Sequence, residues 1–110
     1  MGTSKNQIFS KSQNELAELA KALAHPARIA ILEEMLTSKE CLTTDLVGKI
    51  DLAQATISQH IAELKKSKII IGRSEGVKTC YCINPEKWKM MKGLMVDFFD
   101  HHPSCNPNCC

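Results

Sequence analysis

The segment over residues 51–66 constrains this chain more than any other. Its apolar residues recur at helical spacing, so one stripe of a predicted helix packs inward; they are Ala53, Ile57, Ile61 and Leu64. The opposite side lacks the Glu and Lys pairs of an ordinary solvated helix and carries small or hydrogen-bonding side chains: Gln54, Ala55, Thr56, Ser58 and Gln59. Gln, Thr and Ser can bond to base edges in the DNA major groove. The segment therefore predicts a DNA recognition helix.

Length and composition set the class of protein. The chain has 110 residues, of which 44% are hydrophobic, which fits one globular domain with a modest core. It has no apolar run of the roughly 18 residues that a membrane span needs, and its N-terminus lacks the apolar core of a signal peptide. We expect a cytoplasmic protein with no membrane partner. The net charge of +2 is only a weak indication of nucleic-acid binding.

The first half of the chain predicts several helices. Residues 1–11 are polar and aperiodic, which predicts a flexible arm ahead of one domain over residues 12–102. Ser12 and Glu15 are spaced as a capping box for the first helix. Pro26 suits the first position of the second helix, and His25 fits a cap better than a metal ligand.

A short helix is expected next, over residues 43–47, with Gly48 at its end. Asp51 is then placed to cap the recognition helix. A short helix, a tight turn and a helix with a polar outer face form the helix-turn-helix pattern.

The second half predicts a β-hairpin and a closing helix. Residues 69–71 are β-branched, a Gly-rich loop follows, and alternation resumes from Val77 to Ile83, which predicts a wing with Arg73 and Lys78 at its tip. Asn84 and Pro85 begin the last helix. Its apolar stripe predicts a homodimer interface shared with the first helix, with closure of the monomer core as the alternative; the stripe consists of Trp88, Met91, Leu94, Met95 and Phe98.

Two segments of this chain resemble the ArsR family, also called ArsR/SmtB. They are residues 23–32, which contain His25-Pro26-Ala27-Arg28, and residues 55–64, Ala-Thr-Ile-Ser-Gln-His-Ile-Ala-Glu-Leu. The resemblance covers roughly residues 16–99 and includes the wing. It implies a mainly α, dimeric winged helix-turn-helix repressor with a small β-hairpin. It also implies that an inducer releases the repressor from double-stranded operator DNA and switches on resistance or efflux genes.

The ligand sites that the family commonly uses are incomplete here. Many arsenic-sensing relatives carry Cys-Val-Cys-Asp-Leu before the short helix, whereas this chain keeps Cys41 and has Thr43 at the second thiol position. Other relatives place Asp and His ligands on the closing helix. Here Asp97, Asp100, His101 and His102 lie in that region, and a zinc site formed by them is an alternative.

The candidate sensor is the Cys-rich tail over residues 103–110. Its thiols Cys105, Cys109 and Cys110 surround a Pro-containing turn, and thiolates select soft ions. Three sulfurs suit As(III) or Sb(III) as inducer. Zn(II) or Cd(II), bound with His101 or His102, is an alternative, as is oxidation of tail thiols to a disulfide. The tail thiols could also simply be exposed, and Cys41 is a secondary candidate. Cys80 and Cys82 are expected to be half-buried on a wing strand.

The predicted DNA contacts differ in kind. Gln59 and His60 are assigned to base or groove edges, whereas Thr56 and Ser58 could contact phosphates alone. The Gln54 side chain can instead cap its own helix, which would leave it no base contact. A different class of function is a metal-binding or buffering protein that uses its helix-turn-helix for protein contacts. An enzyme is not expected, because the chain has neither a nucleotide-binding loop nor a redox Cys-x-x-Cys.

Overall fold

The computed structural model describes residues 8–38, 41–43, 50 and 52–101. These residues form four helices and two strands: α1 (Lys11–Leu23), α2 (Pro26–Thr37), α3 (Gln54–Lys66), β1 (Ile70–Glu75), β2 (Lys78–Ile83) and α4 (Pro85–Phe99). The predicted class, mainly helical with a small hairpin, is confirmed. None of the helices that the structure describes is long and apolar enough to cross a membrane. The short helix predicted over residues 43–47 lies, from residue 44 onward, outside the described residues.

The first helix begins earlier than predicted. Its capping box consists of Ser10 and Gln13: the Gln13 backbone N–H donates to Ser10 Oγ at 3.1 Å, and the Ser10 N–H donates to Gln13 Oε1 at 2.9 Å. The prediction of a Ser12–Glu15 box is therefore wrong, because a hydroxyl and a carboxamide stand at the same spacing two residues upstream. Lys11, the last residue of the predicted arm, is helical, and residues 1–7 lie outside the described part of the chain.

Two of the other predicted caps are confirmed and one is wrong. His25 Nδ1 accepts from the Ala27 N–H at 3.1 Å, and Asn84 Oδ1 accepts from the Lys87 N–H at 3.3 Å. The N-cap of α3 is Ala53 and not Asp51, and its methyl side chain accepts no hydrogen bond. The start of α3 is therefore fixed by packing of its apolar residues and not by a side-chain cap.

The apolar stripe of α3 lies at the centre of the core. Ile57 and Leu64 are fully buried and Ile61 is nearly so, whereas Ala53 is exposed. Ile57, Ile61 and Leu64 belong to one cluster with Ile31 and Met35 of α2, and the prediction that Ala53 packs inward is wrong because Ala53 is the N-cap. The stripe fixes which side of α3 is turned to solvent, because burying one side of a helix exposes the other.

The stripe of α4 is divided between core and surface. Met91 is buried, and Trp88, Leu94 and Met95 pack against the core. This part of α4 therefore closes the monomer core, which was the alternative to a dimer interface. α4 also contacts α1 within the same chain. Towards the end of α4 the side chains are exposed, and Phe98 is 57% accessible. The predicted dimer interface therefore cannot include Met91.

β2 has a neighbour on each side. β1 and β2 are antiparallel, with Ile71 opposite Cys82 and Arg73 opposite Cys80. On its other side β2 forms an isolated antiparallel bridge between Tyr81 and Leu42. Tyr81 and Ile83 pack on the core as the alternation predicts. Val77 and Thr79, which the alternation places on the same side, are exposed. Val77 lies in the turn, and the buried residue next to Thr79 is Cys80.

Replacing Ile57 with alanine tests the central role of the α3 stripe. The substitution leaves a cavity in a fully buried site, so we expect Ile57→Ala to lower the free energy of unfolding by about 2–5 kcal/mol. Urea unfolding followed by circular dichroism measures the change. Ile29→Ala is the matched control, because Ile29 on α2 is 42% exposed, and we expect a loss below about 1 kcal/mol. Equal losses at the two sites would contradict a core centred on α3.

Candidate functional site

The exposed side of α3 is the main candidate surface. Gln54, Ala55, Ser58 and Gln59 are exposed, and Thr56 is half-buried. All five lie in the first two turns of the helix. Small and amide side chains let another macromolecule approach the helix backbone closely, and they present donors and acceptors without a net charge. This chemistry suits the edges of base pairs in a major groove.

His60 does not belong to that exposed side. Its side chain is only 8% accessible, and its Nδ1 accepts a hydrogen bond from Arg28 Nε at 3.2 Å. The prediction that His60 contacts a base edge is therefore wrong. The physical reason is helical spacing, since His60 lies three residues after Ile57 and shares the buried stripe.

Arg28 connects three helices around His60. Arg28 belongs to α2, and its Nη1 also donates to the Ala22 carbonyl oxygen of α1 at 3.1 Å. The His25 ring lies against the His60 ring, with centroids 4.2 Å apart. One guanidinium thus holds the end of α1 and the middle of α3 relative to α2. A half-buried arginine with these partners fixes the position of α3 within the domain.

The contacts of His60 also determine its protonation. Burial lowers the pKa of His60, and the nearby charges of His25 and Arg28 lower it further. Nδ1 must stay unprotonated to accept from Arg28 Nε, so the bond requires the neutral ring with its proton on Nε2. Protonation of His60 would replace this hydrogen bond by repulsion between two cations.

The hairpin carries the basic residues of the predicted wing. Arg73 on β1 and Lys78 at the start of β2 are both exposed. The turn between the strands contains Gly76, whose φ of +64° is readily adopted only by glycine, and Val77, which is fully accessible. Exposed cations near a protruding turn are suited to contact phosphates.

Two thiols lie together at the base of the hairpin. Cys41 and Cys82 are both half-buried, and their side chains are joined by a hydrogen bond. This bond to Cys41 raises the pKa of Cys82, and burial raises it further, while the positive charge of Arg73 acts in the opposite direction. The expectation of half-buried cysteines on a wing strand is confirmed for Cys82, whereas Cys80 is buried.

The predicted thiol tail over residues 103–110 lies outside the part of the chain that the structure describes. His102, Cys105, Cys109 and Cys110 lie outside the described residues. His101 is exposed just after α4, where its Nδ1 lies 2.8 Å from the Asp97 carbonyl oxygen. Across the described residues, no group of three or more His, Cys, Asp or Glu side chains converges to hold a metal ion.

Sequence reasoning missed two contacts. The Arg28–His60 bond could have been found, since His60 falls on the i, i+3, i+4, i+7 pattern that begins at Ile57. The Cys41–Cys82 contact had no local signal. It depends on the Leu42–Tyr81 bridge, which joins segments about 40 residues apart.

Comparison with known proteins identifies close counterparts of this architecture. The family model described as "Bacterial regulatory protein, arsR family" matches residues 25–71. The transcriptional repressor PagR of Bacillus anthracis is 34% identical over 74% of this chain and 82% of its own length. The arsenical resistance operon repressor of Staphylococcus xylosus is 32% identical over 68% of this chain and 71% of its own. The solved structure of HlyU from Vibrio cholerae N16961 superposes with a TM-score of 0.65 at 26% identity, covering 84% of this chain and all of that one.

The buried histidine makes stability depend on pH. The folded state resists protonation of His60, whereas the unfolded chain takes up the proton below about pH 6.5. We therefore expect the free energy of unfolding to fall between about pH 7.5 and about pH 5.5. His60→Asn keeps an acceptor for Arg28 and removes the titration, so its fall over this range should be smaller. Urea unfolding at both pH values measures the difference.

His101→Asn is the matched control for this measurement. His101 is exposed at the end of α4 beside the Asp97 carbonyl oxygen, and the hydrogen bonds of Arg28 go to His60 and Ala22, so this variant should keep the pH dependence of the parent protein. If His60→Asn and His101→Asn reduced the dependence equally, the assignment of the effect to His60 would be wrong.

Proposed function

This chain belongs to the ArsR family of bacterial regulatory proteins and is a transcriptional repressor of that family, and we propose that a thiol-binding metalloid releases it from operator DNA. In this proposal α3 reads the operator, the hairpin contacts the DNA backbone, and the tail over residues 103–110 binds the inducer. The arsenical resistance operon repressor among its relatives supports the choice of ligand. The repressor would act in the cytoplasm, where bacterial operators lie.

The exposed side of α3 is the observation that carries the DNA-binding part of the proposal. The apolar stripe of α3 is buried in the core. The opposite side of the helix carries polar, uncharged side chains at Gln54, Ser58 and Gln59. We assign Gln59 to a base edge, because it is exposed near the middle of the helix and its amide can bond bidentately to adenine. Gln54, Thr56 and Ser58 are assigned to base edges or phosphates near the start of α3.

The hairpin supplies positive charge that the first two turns of α3 lack. Arg73 and Lys78 are exposed on neighbouring strands, near the turn. Contacts from these cations to phosphates add affinity without sequence preference, whereas base-edge contacts from α3 add preference. The two surfaces therefore make separable contributions to binding.

A homodimer follows from the way such helices read DNA. Two recognition helices spaced on the order of 34 Å match successive major grooves of a palindromic operator. The apolar side chains at the end of α4 and ahead of α1 offer an interface, because they are exposed in the single chain; they are Val96, Phe98, Phe99, Ile8 and Phe9. Phe98 and Phe99 pack edge to face with ring centroids 5.2 Å apart. We propose that these residues, rather than the buried part of α4, form the interface with α1 of the partner.

The inducer site is assigned to Cys105, Cys109 and Cys110. Three thiolates within six residues can bind As(III) or Sb(III), which take three sulfurs in a pyramid, and they would attach the ligand directly after α4. α4 ends with the Asp100 N–H donating to the Val96 carbonyl at 2.8 Å, next to Phe98 and Phe99. Ordering of the tail would therefore act on the end of the proposed dimer helix. An allosteric coupling of about 1–3 kcal/mol is typical for such effects.

Other inducers keep the same DNA-binding role. Zn(II) or Cd(II) could take the tail thiols with His101 or His102 in a tetrahedral site. Oxidation of tail thiols would release DNA without a metal. A gel-shift on the gene's own upstream region, titrated with As(III), Sb(III), Zn(II), Cd(II) and peroxide, distinguishes these signals. A metal-buffering protein would give no specific shift at all.

Substitutions on α3 and on the hairpin should affect binding differently. Gln59→Ala removes a base-edge contact, so we expect about tenfold weaker operator binding with little change on random DNA. Arg73→Ala removes a phosphate contact, so binding to both DNAs should weaken similarly and the salt slope should decrease by about 1. Fluorescence anisotropy at several salt concentrations measures both quantities.

The control for the charge effect is Lys89→Ala, an exposed lysine of α4. It changes the net charge as Arg73→Ala does but lies away from the hairpin and α3 in the sequence. If Lys89→Ala weakened binding as much as Arg73→Ala, bulk charge and not a wing contact would explain the result.

The tail thiols are tested by their effect on release. Cys109→Ser combined with Cys110→Ser should bind the operator with unchanged affinity and fail to release it with arsenite, because one remaining tail thiol cannot form the site. Cys80→Ala is the matched control, since Cys80 is buried on β2, and it should release DNA normally. Normal release by the double variant would show that the tail is not the sensor.

A further inference from the structure

We propose that Cys41 and Cys82 are a site of reversible oxidation, at which a hydroperoxide converts the two thiols into a disulfide that joins the hairpin to the segment ahead of α3. The proposal goes beyond metalloid sensing and does not depend on the tail, which contains none of these atoms. It rests on the antiparallel pairing of Leu42 with Tyr81 of β2 and on the contact between the two thiols.

The register places the two residues directly opposite each other. Leu42 and Tyr81 exchange two backbone hydrogen bonds, Leu42 N–H to Tyr81 O at 2.8 Å and Tyr81 N–H to Leu42 O at 2.7 Å. They are therefore a hydrogen-bonded pair of an antiparallel ladder. One residue further along each segment, Cys41 faces Cys82 as a non-hydrogen-bonded pair.

That kind of pair has the spacing that a disulfide requires. Residues opposite each other in a non-hydrogen-bonded pair have Cα atoms about 4.5 Å apart, with side chains on the same side of the sheet. Disulfides span Cα distances of about 4.4–6.8 Å. Oxidation at this position therefore needs little movement of the backbone, and the Leu42–Tyr81 hydrogen bonds can remain.

The thiols already lie in contact. A side-chain hydrogen bond joins Cys82 to Cys41, and it raises the pKa of Cys82. Because the two side chains are in contact, either sulfur can resolve a sulfenic acid formed on the other. Both side chains are half-buried rather than enclosed, so a small peroxide can reach them.

The reaction balances with a hydroperoxide as the oxidant. The sulfur of one cysteine, as thiolate, attacks the terminal peroxide oxygen, the O–O bond breaks, and the alkoxide or hydroxide leaves with a proton, which gives a sulfenic acid on that cysteine. The sulfur of the other cysteine then attacks the sulfenic acid sulfur. The S–O bond breaks, and water leaves with the proton of the second thiol. Two electrons pass from the two sulfurs to the peroxide, and a dithiol reverses the product by exchange.

Cys80 lies near this pair but is in a different position. It is on the same strand as Cys82, two residues away, and it faces Arg73 across the β1–β2 pairing. Continuing the bridge register places Thr43, which has no thiol, on the other side of Cys80. Cys80 is also buried, with 4% of its surface accessible. It therefore serves as the internal control for a neighbouring buried thiol at a different register position.

The test uses the full chain with Cys105, Cys109 and Cys110 replaced by serine, so that tail oxidation cannot contribute. Treatment with hydrogen peroxide should remove two of the three remaining thiols and lower the mass by about 2 Da. Peptide mapping should recover Cys41 linked to Cys82. The link closes a loop of about 40 residues, so the melting temperature should rise by at least about 5 °C and return to its starting value after reduction.

Single variants in the same background decide the assignment. Cys41→Ser and Cys82→Ser should each abolish both the cross-link and the rise in melting temperature, whereas Cys80→Ser should keep both. A link that involves Cys80, or the absence of any intramolecular link, would overturn the proposal. So would a cross-linked protein that melts no higher than the reduced one, because that result requires a strained bridge. Each outcome is independent of arsenite release, which the tail substitutions test separately.

Discussion

The hydrogen bond from Arg28 to His60 is the contact on which the orientation of α3, the proposed DNA-reading helix, depends. Apolar packing of Ile57, Ile61 and Leu64 buries one side of α3 but tolerates small rotations and translations of the helix. A directional bond from a guanidinium, which is also held by the Ala22 carbonyl, removes that freedom. Because the exposed side of α3 is opposite the stripe, the position of Gln59 and its neighbours follows from this buried contact.

Much of this arrangement could be predicted from local sequence patterns. The stripe of α3, the His25 and Asn84 caps and the hairpin each follow from residues within a few positions of one another. The error at His60 arose because histidine was assigned by its chemistry and not by its place in the stripe. The error at Ser12 was of a similar kind, since Ser10 with Gln13 satisfies the same two backbone groups as Ser12 with Glu15 would.

The contacts that sequence patterns could not predict are those between distant segments. Nothing near Cys41 indicates that Leu42 adds to the hairpin, because a single bridge leaves no periodic pattern in the sequence. The division of the α4 stripe also depends on three-dimensional packing: spacing selects Trp88, Met91 and Phe98 alike, but only the first two meet the core. Local periodicity identifies an apolar surface, whereas the rest of the fold decides what covers it.

The Leu42–Tyr81 bridge closes a loop of about 40 residues. That loop contains both α3 and most of the hairpin. The entropic cost of closing a loop grows only with the logarithm of its length, so ten additional residues at the hairpin tip would add roughly 0.2 kcal/mol to the cost of closing this loop. The tip can therefore change in length with little entropic effect on the bridge, so the proposed DNA-contacting hairpin can diverge while the bridge is kept.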